Sequence, residues 1–308
     1  MAKVSVIIPV HNMQEYLPKC MESVLAQTLQ DIEVILVENA STDASLDLCN
    51  EYAARDSRVK VIHSDVGDLS TARNLGLKLA SAEYVAFLDS DDTIDKVMYA
   101  TLYDFAKAND LDLVYSNHVL VFDDRPPKYI FRESGDSVIL TPKRMLIKQF
   151  LRKIPILACT MLVRMRVFDK LKFPEFVYYE DRAFTHLVIN ACQKVGYVDK
   201  SFYYYYQRSG SIAHTRSWKH YYDFAHAEKM RLEFINDSGL FTTEEKKQIS
   251  KRIAEMFLSK LRSANKMASS KHEKKLSRKM VKSISMIPKG CKLRMKARMY
   301  KLFLKARY

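Results

Sequence analysis

The sequence predicts an α/β protein: a mostly parallel central sheet with helices on both faces, followed by a helical C-terminal region. Three observations carry that prediction. Residues 4–9, 32–37, 59–62 and 84–89 are short apolar runs separated by stretches of helical period. The runs show no polar alternation, so each strand needs cover on both faces, which a parallel sheet between helix layers provides. From Trp218 onward the period is helical to the end of the chain, punctuated by Gly239, Pro288 and Gly290.

The first strand, VSVIIP (4–9), leads into a helix over 14–29, where Leu17, Met21, Val24 and Leu25 recur at helical spacing. The second, IEVILV (32–37), precedes a helix over 44–55 introduced by Ser41, Thr42 and Asp43, all residue types that cap helices. VKVI (59–62) is the third strand, followed by a helix over 69–80, and YVAFLD (84–89) is the fourth. A further strand is expected over 110–117, after which the alternation loosens. Residues 118–122 and 128–131 read as strands of a side sheet, and 141–151 as a helix with Pro142 in its first turn. Residues 159–164 read as a strand, 180–192 as a helix opening on two acids, and 202–207 as a strand. The expected division is an α/β domain over 1–215 and a helical region over 216–308.

At 48% hydrophobic and 28% charged, the 308 residues have the balance of a globular protein with a full core. No apolar run reaches the ~20 residues of a spanning helix. The N-terminal run is too short for a secretory signal, so the expected location is the cytoplasm. Cys20, Cys49, Cys159, Cys192 and Cys291 are scattered, with no C-x-x-C pair; small buried thiols are expected, not a disulfide framework or zinc site. The net charge of +14 is concentrated in residues 271–308, where fourteen Lys or Arg face a single acid, Glu273. The first 270 residues are close to neutral.

Polar groups gather at the strand ends. In an open parallel sheet, ligands sit beyond the carboxyl ends of the strands, where strand order reverses. Strand one ends in PVHN, strand two in ENASTD and strand four in DSDD. Asp89, Asp91 and Asp92 repel one another there, and burial would favour their neutralisation. A hard divalent cation, Mg²⁺ or Mn²⁺, relieves that repulsion, since it takes one or two carboxylates together with phosphate and water oxygens. Asp89 and Asp91 bracket one residue, so extended geometry puts them on the same side of the chain. For Asp92 an equally good reading is a surface turn capping a helix at Ile94.

These segments, together with STARNLGLKLASAEYVAFLDSDD (70–92) and YYEDRAF (178–184), resemble in order the motifs of family 2 glycosyltransferases. Those are Rossmann-like enzymes of the GT-A fold that transfer sugar from nucleotide donors. The resemblance is dense over residues 3–117, sparser to about 215 and absent beyond. It implies that Pro9, Val10, His11 and Asn12 stand where the family has PVYN, with His11 as the ring against the nucleobase. Glu38 and Asn39 replace the acids of VDDGSTD, and the Asn39 carbonyl would take the hydrogen bond of uracil N3–H. Arg73 matches a basic residue near the nucleotide, although its loop, VGDLSTARN, departs from the family's GGLSAARN at Val66 and Asp68.

Asp89, Ser90 and Asp91 match the D-x-D that holds ribose and metal, with Asp91 the direct ligand. Asp181, after Glu180, matches the aspartate that is the general base of inverting enzymes. A hydroxyl acceptor is a poor nucleophile, and a carboxylate in reach can take its proton as the new bond forms. By the same resemblance His214 is expected on the metal, and Glu180, Arg208 and Ser211 at the diphosphate or the acceptor.

In the basic tail, Leu276, Met280, Ile284 and Ile287 share one helical face, as do Leu293, Ala297, Tyr300 and Leu304. Such basic amphipathic helices lie on anionic membrane surfaces; the alternative is a face docked on the protein's own body. No recognition motif accompanies the charge, which argues against nucleic acid as a partner. The expected function is metal-dependent, inverting transfer of a hexosyl or N-acetylhexosaminyl group from a nucleotide-sugar, UDP in first place. The acceptor would be a hydroxyl of a glycan or lipid-linked molecule in capsule, O-antigen or lipopolysaccharide synthesis, at the inner face of the cell membrane. A nucleotidyltransferase would need a Gly-rich phosphate loop, and PVHNMQEY has no glycine. A nucleotide- or glycan-binding protein with a degenerate site would not need Asp89, Asp91 and Asp181 together.

Overall fold

The computed structural model describes residues 2–131, 133–208 and 216–283, and the chain divides into two compact units. The first comprises Met1–Met145, Ile154–Phe176 and Leu187–Ser209; the second comprises Leu146–Lys153, Val177–His186 and Gly210–Tyr308. In place of a single boundary at residue 215, two short segments of the expected α/β domain belong with the C-terminal helices.

The first unit opens with the expected alternation: β1 (Val4–Val10), α1 (Leu17–Leu25), β2 (Ile32–Asn39), α2 (Ser45–Arg55), β3 (Val59–Ser64), α3 (Leu69–Leu79) and β4 (Tyr84–Phe87). The strands lie in the order β3-β2-β1-β4, all parallel. Every residue of β1, β2 and β4 is buried, which is why their sequences carry no alternation; β3, at the edge, exposes Lys60. Gly76 lets α3 lie close on this sheet, since a Cβ there would stand 2.4 Å from Cγ2 of Ile7.

Beyond β4 the chain forms β5 (Thr93–Ile94), α4 (Met98–Asn109), β6 (Leu113–Val121), β7 (Lys128–Tyr129), β8 (Ser137–Leu140), α5 (Pro142–Phe150), β9 (Met161–Arg164), α6 (Glu180–Ala191) and β10 (Val195–Tyr206). Four expectations change here. Residues 113–121 are one strand of the main sheet, not two elements. β9 enters antiparallel between β4 and β6, so the sheet is mixed. β8 is a short, mostly exposed strand whose partner is β10. Residues 93–94 are a strand, and the helix expected from Ile94 begins at Met98, where Asp95 Oδ1 accepts from the Val97 N–H at 3.0 Å.

The second unit contains α7 (Trp218–Asp237), α8 (Thr243–Met267) and α9 (Lys271–Val281). Capping boxes open α8 (Thr242 with Glu245) and α9 (Ser270 with Glu273). Ile249, Ile253, Phe257, Leu261 and Ala264 form the buried stripe of α8. On α9, Met280 and Val281 are buried and Ser277 accepts a hydrogen bond from Trp218 Nε1 at 3.0 Å. Over 271–283, therefore, the apolar face expected on a membrane is docked on the protein's own helices, and Trp218 is a packing residue. The rest of the tail lies outside the described residues. Cys20, Cys49, Cys159 and Cys192 are buried cysteines, as expected, and Cys291 lies outside that range.

Candidate active site

The carboxyl ends of β1, β2 and β4 meet where strand order reverses, between β1 and β4. The β1–β4 ladder ends at Ile7 with Phe87, and Pro9, with no N–H to donate, stands just past it. The two strands part there, and β4 runs on into the acidic segment. Pro9 and Val10 are buried in the sheet, whereas His11 and Asn12 emerge from it.

The ends of β1 and β2 are laced together. Asn12 donates its N–H to Ser41 Oγ at 3.1 Å and accepts from the Thr42 N–H at 2.8 Å. Ser45 Oγ accepts from the Met13 N–H at 2.7 Å, and Asp43 accepts from the Gln14 and Ser45 N–H groups. Ser41, Thr42 and Asp43 do not cap α2 as their residue types suggest, because the helix starts at Ser45 with no side-chain cap. They hold the β1 loop instead. Asn12 (φ 54) and Ala40 (φ 59) both turn through the left-handed region.

His11 Nδ1 lies 2.7 Å from the Asn39 carbonyl oxygen, so Nδ1 carries the proton and the exposed ring is fixed at the mouth of the site. Asn39 is buried, and its Oδ1 has no hydrogen-bond partner among the described residues. Glu38 is buried too. Burial pushes its carboxyl up, but hydrogen bonds from Ser41 and His63 outweigh that and hold it below the usual range. His63 bridges Glu38 Oε2 and Asp65 Oδ1, the latter at 2.8 Å; Asp65 and Glu38 together raise its pKa above 6.5.

At the β4 end, each of the first two carboxylates has its own arginine. Arg73, only 1% exposed, puts Nη2 2.8 Å from Asp89 Oδ1, with its guanidinium against the rings of Phe87 and Phe173. Arg208 puts Nε 2.6 Å from Asp91 Oδ2 and lies over the Tyr16 ring. Burial and the charge of Asp89 still raise the pKa of Asp91, against the pull of Arg208. Ser90 is buried between the two. Asp92 is no surface cap. At 1% exposure it accepts from Tyr203 Oη at 2.6 Å and from the Tyr206 N–H at 2.8 Å, tying the acidic segment to β10.

The departure of the α3 loop from the family pattern has a structural reason. Asp68 caps α3, accepting from the Thr71 N–H at 2.8 Å, and its other oxygen accepts from the Phe176 N–H at 3.0 Å. Asn74 then brackets Phe173, donating to its carbonyl and accepting from its N–H. The same helix therefore carries Arg73 and secures the ring that packs on it. Arg73, expected near the nucleotide, holds Asp89 at the tip of β4.

Asp181 and Glu180 open α6 in the second unit, with Glu180 buried and Asp181 half-buried. The segment before them is clamped to α7. Tyr178 stacks on His220 at 4.0 Å, its N–H donates to Asp223 Oδ2 at 3.1 Å, and the Tyr179 ring meets Phe224 edge-on. Arg182, next in sequence, donates to the buried Glu228 at 2.7 Å. Asp181 thus sits on a first turn fixed from both sides. Ser211 and His214 lie outside the described residues.

The sequence reading missed His63, Asp65, Asp68 and Tyr203. Asp68 carried a readable signal, an acid directly before a helical run. The others depend on contacts between distant segments. No group of three metal-ligating side chains occurs among the described residues. Even so, two adjacent carboxylates, one of them under raised pKa from burial and its neighbour, are the oxygen donors that suit a hard divalent ion completed by phosphate and water.

Comparison with known proteins gives the family and the fold. The model of the family "Glycosyl transferase family 2" matches residues 5–172. The chain is 30% identical over 229 residues to the glycosyltransferase GlyG of Streptococcus pneumoniae serotype 4, covering 70% of this chain and 75% of GlyG. It is also 30% identical over 214 residues to the poly(ribitol-phosphate) beta-glucosyltransferase of Bacillus spizizenii, covering 68% of this chain but only 33% of that enzyme. The crystal structure of S. aureus TarS 1–349 in complex with UDP-GlcNAc superposes with a TM-score of 0.75 at 21% identity, over 97% of this chain and 88% of that one. That likeness shows the GT-A fold.

Proposed function

Since this chain belongs to glycosyl transferase family 2, and is a glycosyltransferase, we propose that it transfers a hexosyl or N-acetylhexosaminyl group from a UDP-sugar to a hydroxyl of a glycan or lipid-linked acceptor, with inversion. The observation that carries this reading is the acidic tip of β4, where Asp89 and Asp91 are held at the strand-order reversal, each by an arginine. A buried Asn39 Oδ1 without a donor among the described residues supports a nucleobase N–H at that point, beside the His11 ring.

In this reading Asp89 is held by Arg73 for the ribose, and Asp91 faces the diphosphate. Asp91 and Asp89 would hold Mn²⁺ or Mg²⁺, which would supply the charge that neutralises the departing nucleoside diphosphate. Asp181 takes the proton of the acceptor hydroxyl as it attacks the anomeric carbon from the face opposite the leaving group. The new C–O bond forms as the bond to the phosphate oxygen breaks, so the anomeric centre inverts and no covalent sugar–enzyme intermediate is needed. Glu180, beside it, shapes the acceptor side.

UDP as the donor nucleotide is supported by the ligand of the TarS complex. A polymer acceptor is supported by the name of the poly(ribitol-phosphate) relative. Among the described residues no helix is long and apolar enough to cross a membrane. For contact with an anionic membrane surface we propose the basic face of α9, where Lys271, Lys274, Lys275 and Arg278 line one hollow.

The test is UDP release from a panel of UDP-sugars with Mn²⁺. Wild type is expected to turn over at least one. Asp181→Ala and Asp91→Ala are expected to lose ~10²-fold or more, while Asp181→Ala still binds UDP. Full turnover by Asp181→Ala would remove it from the chemistry.

A further inference from the structure

We propose that Arg208 is the resident counter-cation of Asp91, displaced by the divalent ion of the donor complex and thereby freed for the diphosphate, so that ion and nucleotide bind cooperatively through this side chain. The inference rests on the reading of Asp89 and Asp91 as the metal-holding tip.

The two arginines of the tip differ in how they are held. Arg73 is 1% exposed and wedged between Phe87 and Phe173, on a helix whose cap and neighbours are fixed. It is a permanent partner of Asp89. Arg208 follows the last residue of β10 by two positions; the chain's last backbone tie before it is the Gln207 N–H to the Val121 carbonyl at 2.8 Å. Among the described residues its guanidinium makes one charged contact, to Asp91 at 2.6 Å, and otherwise meets the Tyr16 ring and Met13 sulfur. Arg208 is therefore the one whose departure costs least.

Charge governs the exchange. Asp91, with 16% of its side chain exposed, needs a cation beside it, and Arg208 supplies one. A divalent ion at Asp91 would repel the guanidinium, which must then find another anion. The diphosphate that accompanies the ion is that anion, and it matches a guanidinium in charge and hydrogen-bond geometry. Either ligand then favours the other, and the coupling is reciprocal.

The experiment is titration of the full chain with Mn²⁺, following free ion by electron paramagnetic resonance, with and without UDP. Proteins are wild type, Arg208→Met, Arg208→Gln, Arg208→Lys and Asp91→Asn, each with its melting curve. Without UDP, Arg208→Met and Arg208→Gln are expected to bind Mn²⁺ about tenfold or more tightly than wild type, since an adjacent guanidinium opposes a competing cation by that order. UDP should raise Mn²⁺ affinity by a larger factor in wild type than in either neutral variant. Arg208→Lys, which keeps the charge, should stay near wild type in both conditions. Equal Mn²⁺ affinity of wild type and both neutral variants without UDP would overturn the proposal. If Asp91→Asn binds Mn²⁺ as well as wild type in the presence of UDP, the metal-holding tip itself is misplaced, a result that the Arg208 variants alone cannot produce.

Discussion

At the scale of single residues, the site is an arrangement of compensated charges. Arg73 and Asp89 form a pair in which only the carboxylate keeps water, at 32% side-chain exposure against 1%. Removing the guanidinium takes from Asp89 the cation beside it, and removing the carboxylate takes an anion from a buried guanidinium. Arg73→Met should cost about 2–3 kcal/mol in urea unfolding, less than a fully buried pair because Asp89 stays partly hydrated. It should also weaken UDP binding; unchanged stability would show that the two side chains are not paired. His63 gives a pH test. Its folded pKa is raised above 6.5 by Asp65 and Glu38, so its contribution is full below the unfolded value and is lost as pH rises through the folded one. The melting-temperature gap between wild type and His63→Gln should be widest near about pH 6 and close towards about pH 9. A gap that widens with rising pH would contradict the bridge. Ala40, at φ 59, holds a conformation that costs an L-residue roughly 1–2 kcal/mol. Ala40→Gly should therefore stabilise the protein by up to about 1 kcal/mol after the entropy of glycine is deducted.

At the scale of elements, α3 does the most to build the site. Asp68 caps it and reaches Phe176, and Asn74 brackets Phe173, so the helix carries Arg73 and also fixes the ring on which Arg73 lies. Asp68→Ala should cost about 1 kcal/mol from the cap alone, and a loss in unfolding free energy that persists in Asp68→Ser, which keeps one capping oxygen but not the second, would report the tie to Phe176. The first four strands and their helices were legible in the sequence because each depends on local pattern: a buried strand is an apolar run, and a covering helix repeats every 3.6 residues. The antiparallel insertion of β9 and the union of 113–117 with 118–121 in one strand were not legible, since pairing partners are chosen by tertiary fit. The acids of the tip could be seen because they interrupt an apolar run. Their partners could not: Arg73 lies 16 residues from Asp89, and Arg208 lies 117 residues from Asp91. Asp92 misled for the same reason, since Tyr203, 111 residues away, converts a capping residue type into a buried anchor.

At the scale of the whole molecule, the chain forms two compact units. The first holds the carboxyl strand ends with Asp89 and Asp91, and the second holds the first turn of α6, with Asp181, beside α7. The charge is divided as well, with a near-neutral body and a basic C-terminal segment. Because the apolar face of α9 is already docked over 271–283, membrane adhesion by this stretch should be electrostatic. Binding to anionic vesicles should fall steeply with salt and on replacing Lys271, Lys274, Lys275 and Arg278 by Glu, whereas binding that persists in high salt would point to insertion of apolar residues. The proposed chemistry depends on a nucleoside diphosphate meeting the acidic tip of β4. The most direct measurement is calorimetric titration of UDP, with Mn²⁺ present, into wild type and Asp91→Asn. Saturable binding by wild type and a loss of about tenfold or more in Asp91→Asn is the predicted result. Equal affinity in the two proteins would contradict it.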